Sequence, residues 1–200
     1  MHIVVINAAL VAPQAWRNGG GQTRELLAWP ADADWRVRIS RADIAADGPF
    51  SAFPQVERWF TVLQGAGVVL TFPDGDRALK RGDVPLCFDG AAAPGCRLID
   101  GPTQDLNLMV RQGKGVMRPV QAGRAWDEVF QMRGIYTTTA GLMSAPSPAA
   151  SRQAPRGQTH RLGADTLLWM QDGGADRWSF QFDTPAAAAQ AWWLGFTPED

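Results

Sequence analysis

The 200-residue chain is long enough for one large domain or two small ones, and its 46% hydrophobic and 20% charged residues are typical of a folded globular protein. A net charge of −1 and a pI near 6.1 argue against a general binder of nucleic acids or acidic membranes, since both need a basic surface. No stretch approaches the roughly 20 apolar residues of a membrane-spanning helix. We therefore expect a cytoplasmic protein with no nucleic-acid or membrane partner.

The N-terminal segment and the cysteines fit this expectation. Residues 3–12 are apolar, but no basic segment precedes them and Asn7 interrupts them, so they predict a first strand rather than a signal peptide. Cys87 and Cys96 form no C-x-x-C pair, and nothing else in the chain indicates a disulfide framework.

Three consecutive glycines follow Trp16, Arg17 and Asn18. Glycine loses more conformational freedom on folding than any other residue, so residues 19–21 indicate a sharp bend or a close approach of the backbone. The preceding side chains supply a flat apolar face, a fork of donors and an amide, which suit the rim of a pocket. A plain glycine-rich surface turn is the alternative.

The remaining chain is dominated by short apolar or alternating runs separated by Gly, Pro and Asp, a pattern typical of a β-sandwich or barrel. The predicted strands cover residues 35–40, 60–63, 68–72, 97–99 and 106–110. Modest helical character is found only at residues 121–131 and 184–193, and the second segment fits an irregular cap equally well. Residues 144–157 are rich in Pro, Ser and Ala and predict a long loop or linker.

The first part of this pattern resembles the core of a cupin jelly roll. The resemblance rests on residues 61–70, on Leu79-x-x-Gly82-Asp83 and on Phe88-Asp89-Gly90. After the loop, residues 161–168 weakly repeat residues 79–86, which indicates a second β unit. We therefore predict an all-β cupin fold with two cupin-like halves: residues 1–112, and a divergent half at 113–200 joined through a loop near 144–159.

The metal ligands of a cupin are missing from this frame. Aligning the last glycine of the first cupin motif on Gly65 places Arg58 where that family has its metal-binding Glu, and no histidine lies near residues 52–54. The two histidines of the chain, His2 and His160, lie elsewhere. Since such metal sites need converging imidazoles and a carboxylate, we predict no metal and no other cofactor.

Arg58 changes the chemistry expected at this position. A guanidinium in place of a metal-binding carboxylate would favour a carboxylate or phosphate, held by two parallel hydrogen bonds. Two alternatives remain: Arg58 pairs with a buried Asp, or a shift in strand register places it outside the barrel.

Several further segments resemble the HutD/Ves family of cupin-like proteins over roughly residues 7–112. They are Trp16-Arg17-Asn18-Gly19-Gly20-Gly21, Asp34-Trp35-Arg36, Asp47-Gly48-Pro49-Phe50-Ser51-x-Phe53-Pro54, Arg58, Leu63-x-Gly65-x-Gly67 and Asp100-Gly101-Pro102-x-x-Asp105-x-Asn107-x-Met109. This chain differs from the family pattern in having Arg17 where Lys is usual, Arg38 where a small Ser is expected, and Glu57 where Asp is commoner. The resemblance implies a two-cupin fold and a regulatory or ligand-sensing role in histidine utilisation, with urocanate or formimino-glutamate as candidate ligands.

The residues and the resemblance together give six candidate ligand-binding residues: Trp16, Arg17, Asn18, Arg36, Arg58 and Asn107. Trp16 would stack on a planar ligand unless it belongs to the core. Arg36 and Asn107 are included because the resemblance contains them; the alternation of their strands places each on a polar face, which is either solvent or a barrel mouth. Asp47, Asp100 and Asp105 are interpreted as turn-forming or salt-bridging carboxylates.

The leading functional hypothesis is a non-catalytic sensor that binds a small carboxylate. The alternative is a cofactor-independent isomerase or hydrolase acting on a related acid; it is weakened because the predicted barrel offers no histidine as proton shuttle. A protein-interaction module using exposed tryptophans is a third hypothesis. A homodimer is left open.

Overall fold

The computed structural model describes residues 2–145, 158–171, 177–184 and 190–199. Within these ranges the chain forms β-strands and two one-turn 3-10 helices, at Ala8–Leu10 and Gly90–Ala92, which confirms the predicted all-β class. No helix in these ranges is long and apolar enough to cross a membrane.

The strands of the first part are β1 (His2–Asn7), β2 (Gln14–Ala15), β3 (Gly21–Trp29), β4 (Val37–Ile44), β5 (Gly48–Pro49), β6 (Glu57–Gln64), β7 (Val68–Phe72), β8 (Gly75–Leu79), β9 (Leu86–Asp89), β10 (Gly95–Leu98) and β11 (Thr103–Val110). Those of the second part are β12 (Gly113–Pro119), β13 (Met132–Thr137), β14 (Gly141–Ala145), β15 (Gln158–Leu162), β16 (Thr166–Gln171), β17 (Ser179–Phe182) and β18 (Ala191–Pro198).

The first strand predicted within residues 3–12 and the five later ones all overlap observed strands, but the helix predicted at residues 121–131 is wrong. Residues 121–131 are irregular and are tied down by a β-bridge between Trp126 and Trp178. Trp193, at the end of the second predicted segment, lies in β18; residues 185–189 of that segment are outside the described residues. Most of the predicted linker, residues 146–157, is also outside them.

The strands form four antiparallel sheets. Their strand orders are β5-β10-β7-β8, β2-β3-β4-β11-β6-β9, β1-β16-β13-β18-β12 and β15-β14-β17. Three hydrophobic clusters join these sheets into successive layers in that sequence. The two large sheets therefore lie in the middle of the molecule, each covered on both faces.

Side-chain alternation explains this layering. In β11, Leu106 and Leu108 join the cluster shared with the five-stranded sheet, which contributes Trp169 and Leu194 among others. In β13, Tyr136 faces that same cluster, while Ile135 points to the opposite face. A strand buried on both faces loses the apolar–polar alternation of a surface strand, which fits the continuous apolar runs in this part of the sequence.

The chain passes from the six-stranded to the five-stranded sheet between Val110 and Gly113, next to the predicted division at residue 112. The first strand does not follow that division. β1 pairs with β16 along its whole length, from His2 opposite Gln171 to Asn7 opposite Thr166. Residues 2–7 thus belong to the sheet of the second half, a long-range pairing that local sequence patterns do not encode.

The structure argues against the third functional hypothesis. All nine tryptophans lie in the described ranges; six are buried, and Trp16, Trp29 and Trp59 are half-buried. None of the nine is exposed, so these side chains do not form an aromatic interaction surface.

Candidate functional site

A pocket of about 820 Å³ opens in the first half, above the face of the six-stranded sheet that points away from the second half. Its lining contains three arginines and one aspartate. The lining residues are Gln14, Ala15, Trp16, Arg17, Asn18, Thr23, Arg38, Ser40, Ala42, Pro49, Phe50, Ser51, Phe53, Arg58, Asp105, Asn107 and Met109. This volume suits a small organic ligand, and the charges favour an anionic one.

The floor of the pocket is set by the register of three neighbouring strands, β4, β11 and β6. Met109 of β11 lies opposite Arg38 on one side and Arg58 on the other. Asn107, two residues before Met109 in β11 and on the same face, lies opposite Ser40 of β4. Because alternate residues share a face, Asp105, Asn107 and Met109 all point into the pocket.

Arg58 is the central side chain of this floor. It is 4% exposed, and its Nη2 donates to Asn107 Oδ1 at 2.8 Å. Its Cζ lies 4.9, 5.7 and 5.2 Å from the ring centroids of Phe50, Phe53 and Phe88, within range of cation–π attraction. The Nε and Nη1 atoms have no hydrogen-bond partner in the described part of the chain. Arg58 thus lines the pocket, so no shift in strand register places it outside the barrel. Its hydrogen-bond partner is the amide of Asn107 and not a buried Asp.

Asp105 completes a chain of three polar groups. Asn107 Nδ2 donates to Asp105 Oδ1, so the Asn107 amide bridges Arg58 and Asp105. Asp105 is 1% exposed, and its Oδ2 has no hydrogen-bond partner among the described residues. The interpretation of Asp105 as a turn-forming or salt-bridging carboxylate is therefore wrong, because it lies within β11 on the pocket face and bonds to an amide.

Burial shifts the pKa of two ionisable groups on this floor, Arg58 and Asp105. It lowers the pKa of Arg58 to about 10, with Asp105 acting in the opposite direction and Arg38 in the same direction, so the guanidinium is still charged at neutral pH. Burial raises the pKa of Asp105 well above its ordinary value, although the nearby Arg58 opposes this shift. The floor therefore favours a positive charge over a negative one.

The glycine-rich segment forms the lip of the pocket, as a tight turn between β2 and β3. Trp16 N donates to Gly21 O and Gly19 N donates to Trp16 O. Gly19 has a φ of +72°, and a Cβ on Gly21 would collide with the Asp43 carbonyl. Two of the three glycines are thus required, one by left-handed backbone and one by close approach.

The three side chains before the glycines all line the pocket, in agreement with the expectation for this segment. Trp16 is half-buried and its Nε1 donates to Thr23 Oγ1 at 2.8 Å, which fixes the indole at the mouth. Asn18 Oδ1 accepts from Gly20 N, so this amide also shapes the turn. Arg17 is exposed at the rim.

Arg36 does not belong to this group. It precedes the first residue of β4, lies outside the pocket lining, and its Nη1 donates to the Glu199 carbonyl at 3.3 Å. The family resemblance placed Arg36 in the site, but its guanidinium is bonded to the backbone of Glu199, and Arg36 is not among the residues that line the pocket.

The structure adds Arg38, Asp105, Phe50 and Phe53 to the site. Arg38 forms a salt bridge with Glu25 at 2.5 Å, which leaves Arg58 as the arginine whose donors lack partners on the floor. The sequence did contain a signal for these residues. Phe50, Phe53 and Asp105 fall within the segments that resemble the family, and Arg38 shares a strand face with Ser40.

No group of three or more His, Cys, Asp or Glu side chains in the described ranges is arranged to hold a metal ion. His160 lies in β15 of the second half, opposite Met143. Both cysteines are free thiols, and Cys96 is buried.

Comparison with known proteins connects this chain to one family. A family model described as HutD matches residues 8–190. Protein Ves of Citrobacter koseri is 34% identical over 186 residues, covering 92% of each chain, and Protein Ves of Cronobacter sakazakii is 37% identical over 100 residues, covering 50% of this chain and 55% of that one.

Solved structures agree on the fold. HutD from Pseudomonas fluorescens, in a formate condition, matches with a TM-score of 0.81 and 24% identity over 100% of both chains. A conserved protein of unknown function from Pseudomonas aeruginosa matches with a TM-score of 0.83 and 22% identity, covering 98% of this chain and 100% of that one. A formate complex of oxalate decarboxylase from Lactobacillus farciminis matches with a TM-score of 0.61 and 9% identity, covering 98% of this chain and 86% of that one. The predicted cupin fold is confirmed by these neighbours.

Proposed function

The chain belongs to the HutD/Ves family, and on this premise we propose that it is a non-catalytic cytoplasmic sensor whose pocket binds a small carboxylate related to histidine utilisation. Urocanate and formimino-glutamate are the candidate ligands, since both combine a carboxylate with a polar nitrogen-containing group. The observation that carries the proposal is Arg58, a buried cation with two donor atoms that lack partners in the described residues.

Buried N–H donors without hydrogen-bond partners, such as Arg58 Nε and Nη1, lower the stability of the unliganded chain. A buried donor without a partner costs about 1 to 3 kcal/mol, and more when it is charged. A ligand carboxylate that accepts from Arg58 Nη1 or from Nε would remove part of this cost through a charge-assisted hydrogen bond, in a site screened by Phe50 and Phe53. The side chain is fixed by Asn107 and three aromatic rings before any ligand binds, which reduces the entropy lost on binding.

The rest of the pocket fits an acid that carries a flat group. Trp16 at the mouth presents an indole fixed by Thr23, and Ser40 supplies a hydroxyl on the floor. The indole face would stack on a planar group such as an imidazole ring. Arg17 and Asn18 at the rim would contact the more exposed end of the ligand.

Calorimetric titration of the full chain with urocanate and formimino-glutamate tests this proposal. We expect saturable binding that is lost in Arg58→Gln and retained in Arg36→Gln, a matched control outside the pocket. Arg58→Lys, which keeps the charge but not the bidentate fork, should bind more weakly than the native chain. Absence of heat with every small carboxylate, or equal loss in both Gln variants, would contradict the proposal.

A second candidate function is supported by Asp105. Burial raises the pKa of Asp105, and Arg58 nearby would hold an acidic substrate, so Asp105 can serve as the general acid or base of an isomerase or hydrolase. Incubation of the chain with urocanate, followed by its ultraviolet absorbance and by chromatography, separates the two functions. Turnover that disappears in Asp105→Asn would favour the enzyme, whereas binding without turnover favours the sensor.

A further inference from the structure

Asp105 lines the same pocket as Arg58 and has one oxygen that makes no hydrogen bond within the described part of the chain. Its Oδ1 accepts from Asn107, while its Oδ2 is buried and has no hydrogen-bond partner among the described residues. An ionised carboxylate would place an unsolvated negative charge at this position. A neutral carboxyl instead places a hydroxyl there, which needs an acceptor.

The groups around Asp105 do not neutralise it by direct contact. Arg58 directs Nη2 to Asn107, so the amide lies between the cation and the carboxyl. The titratable and charged groups that act on Asp105 or line the pocket with it are Arg58 from β6, Arg38 and Asp43 from β4, Cys96 from β10 and Arg17 from the lip.

Most of these groups do not stabilise the ionised form of Asp105. Asp43 disfavours a second negative charge nearby, and Arg38 is already paired with Glu25. Burial, followed by the influence of Asp105 and Asp47, raises the pKa of Cys96 to about 12, so this thiol is neutral and adds no positive charge. Only Arg58 lowers the pKa of Asp105 by its charge.

We propose that an anion in this pocket is bound by two donors, the Arg58 guanidinium and the protonated Oδ2–H of Asp105. This inference rests on the proposed function, because it takes a carboxylate as the ligand. The proton on Oδ2 comes from solvent and remains on Asp105 in the complex. Above the pH at which Asp105 ionises in the free chain, binding of one anion is therefore accompanied by uptake of one proton.

Electrostatics explain why the two events are coupled. A ligand carboxylate next to an ionised Asp105 would be repelled, while the same carboxylate next to the neutral acid gains a hydrogen bond. By linkage, the affinity falls by up to about tenfold for each pH unit above the pKa of Asp105 in the free chain. If Asp105 instead accepted an N–H from a cationic part of the ligand, the affinity would rise with pH.

Infrared difference spectroscopy of the full chain with formate tests the proposal directly, because formate carries no N–H group. We expect the C=O stretch of a protonated carboxyl in the formate complex, shifted when the chain is labelled with ¹³C-aspartate and absent in Asp105→Asn. The isotope shift identifies the group as an aspartate even if the variant fails to fold. A formate complex without this band would overturn the proposal.

Titration with formate from pH 5 to pH 9 provides the second measurement. Asp105→Asn should bind formate with an affinity that no longer follows the pH dependence of the native chain, since the Asn amide donates at every pH. Arg58→Gln should fail to bind at every pH. Formate binding without the protonated carboxyl would leave the proposed function standing and reject this inference, whereas no binding of formate, urocanate or formimino-glutamate would reject both.

Discussion

Arg58 and Asn107, on the adjacent strands β6 and β11, are joined by a hydrogen bond of 2.8 Å from Nη2 to Oδ1. The same Asn107 donates from Nδ2 to Asp105, so one amide uses its acceptor for the cation and its donor for the acid. This arrangement fixes the direction of the guanidinium and leaves Nε and Nη1 without hydrogen-bond partners among the described residues.

Replacing Asn107 with Ala should destabilise the fold. The change removes the bridge and leaves Arg58 Nη2 and Asp105 Oδ1 without their present partners. We expect a loss of about 1 to 3 kcal/mol in the free energy of unfolding, measured by urea denaturation. Gln64→Ala, at the exposed end of β6, is the control and should change little. Equal stability of the two variants would mean that the bridge contributes nothing.

The stability of the chain should respond to pH through Asp105. Because burial raises its pKa in the folded state, its contribution to stability is complete below the unfolded pKa of about 4 and is lost as the pH rises through the folded value. Between pH 5 and pH 8, Asp105→Asn should therefore gain stability relative to the native chain, by at most about 1.4 kcal/mol per pH unit. A relative gain for the native chain over this range would show that Arg58 stabilises the ionised acid instead.

The half-buried Asp43 acts in a different pH range. Burial by itself raises the pKa of Asp43, but hydrogen bonds from Gln104, Gln22 and Arg24 and the charge of Arg41 together lower it below its usual value. Its contribution is therefore lost only as the pH falls through that lowered value. Denaturation curves from pH 5 upward thus report on Asp105 without interference from Asp43.

The lip should tolerate a side chain at Gly19 better than at Gly21. Gly21→Ala places a methyl group against the Asp43 carbonyl and the Trp16 ring, and we expect a loss of about 1 to 3 kcal/mol. Gly19 has open space around it, and Asn tolerates its left-handed backbone, so Gly19→Asn should cost much less. Thermal unfolding of both variants checks this order; the reverse order would contradict the described turn.

The two halves should unfold together. Leu108 is fully buried in the cluster shared by the two large sheets, so Leu108→Ala should cost about 2 to 5 kcal/mol and lower a single unfolding transition. Leu10, which is 87% exposed, supplies the control, because Leu10→Ala removes little buried surface. Two separate transitions, with only one shifted in Leu108→Ala, would mean that the halves are independent.

Local pattern was sufficient for much of the fold and for the lip. Alternation located strands such as β7 and β11, and the three glycines marked a turn whose Gly21 has no space for a side chain. The pairing of β1 with β16 was not predictable, because strand partners separated by more than 150 residues leave no local signal. The predicted helix at residues 121–131 failed because the tertiary bridge between Trp126 and Trp178 outweighs a weak propensity.

Some of the site residues were predictable from the sequence, and others depend on tertiary contacts that the sequence does not show. Arg58 was identified because it aligns with the metal-binding Glu of the first cupin motif. Asn107 was identified because the resemblance to the HutD/Ves family includes it. Asp105 was assigned to a turn, since a single sequence does not reveal that both faces of β11 are covered, one by the second half and the other by the pocket wall. Arg36 was included on resemblance alone, and a single sequence does not reveal that its guanidinium bonds to the distant backbone of Glu199 instead of lining the pocket.

The most direct test of the central claim is a crystal structure of the full chain with urocanate. We predict the carboxylate of the ligand within hydrogen-bond distance of Arg58 Nη1 or Nε, with Asp105 Oδ2 on its other side and the ligand ring against Trp16. A pocket that stays empty at saturating urocanate, or a ligand bound elsewhere with Arg58 untouched, would contradict the account.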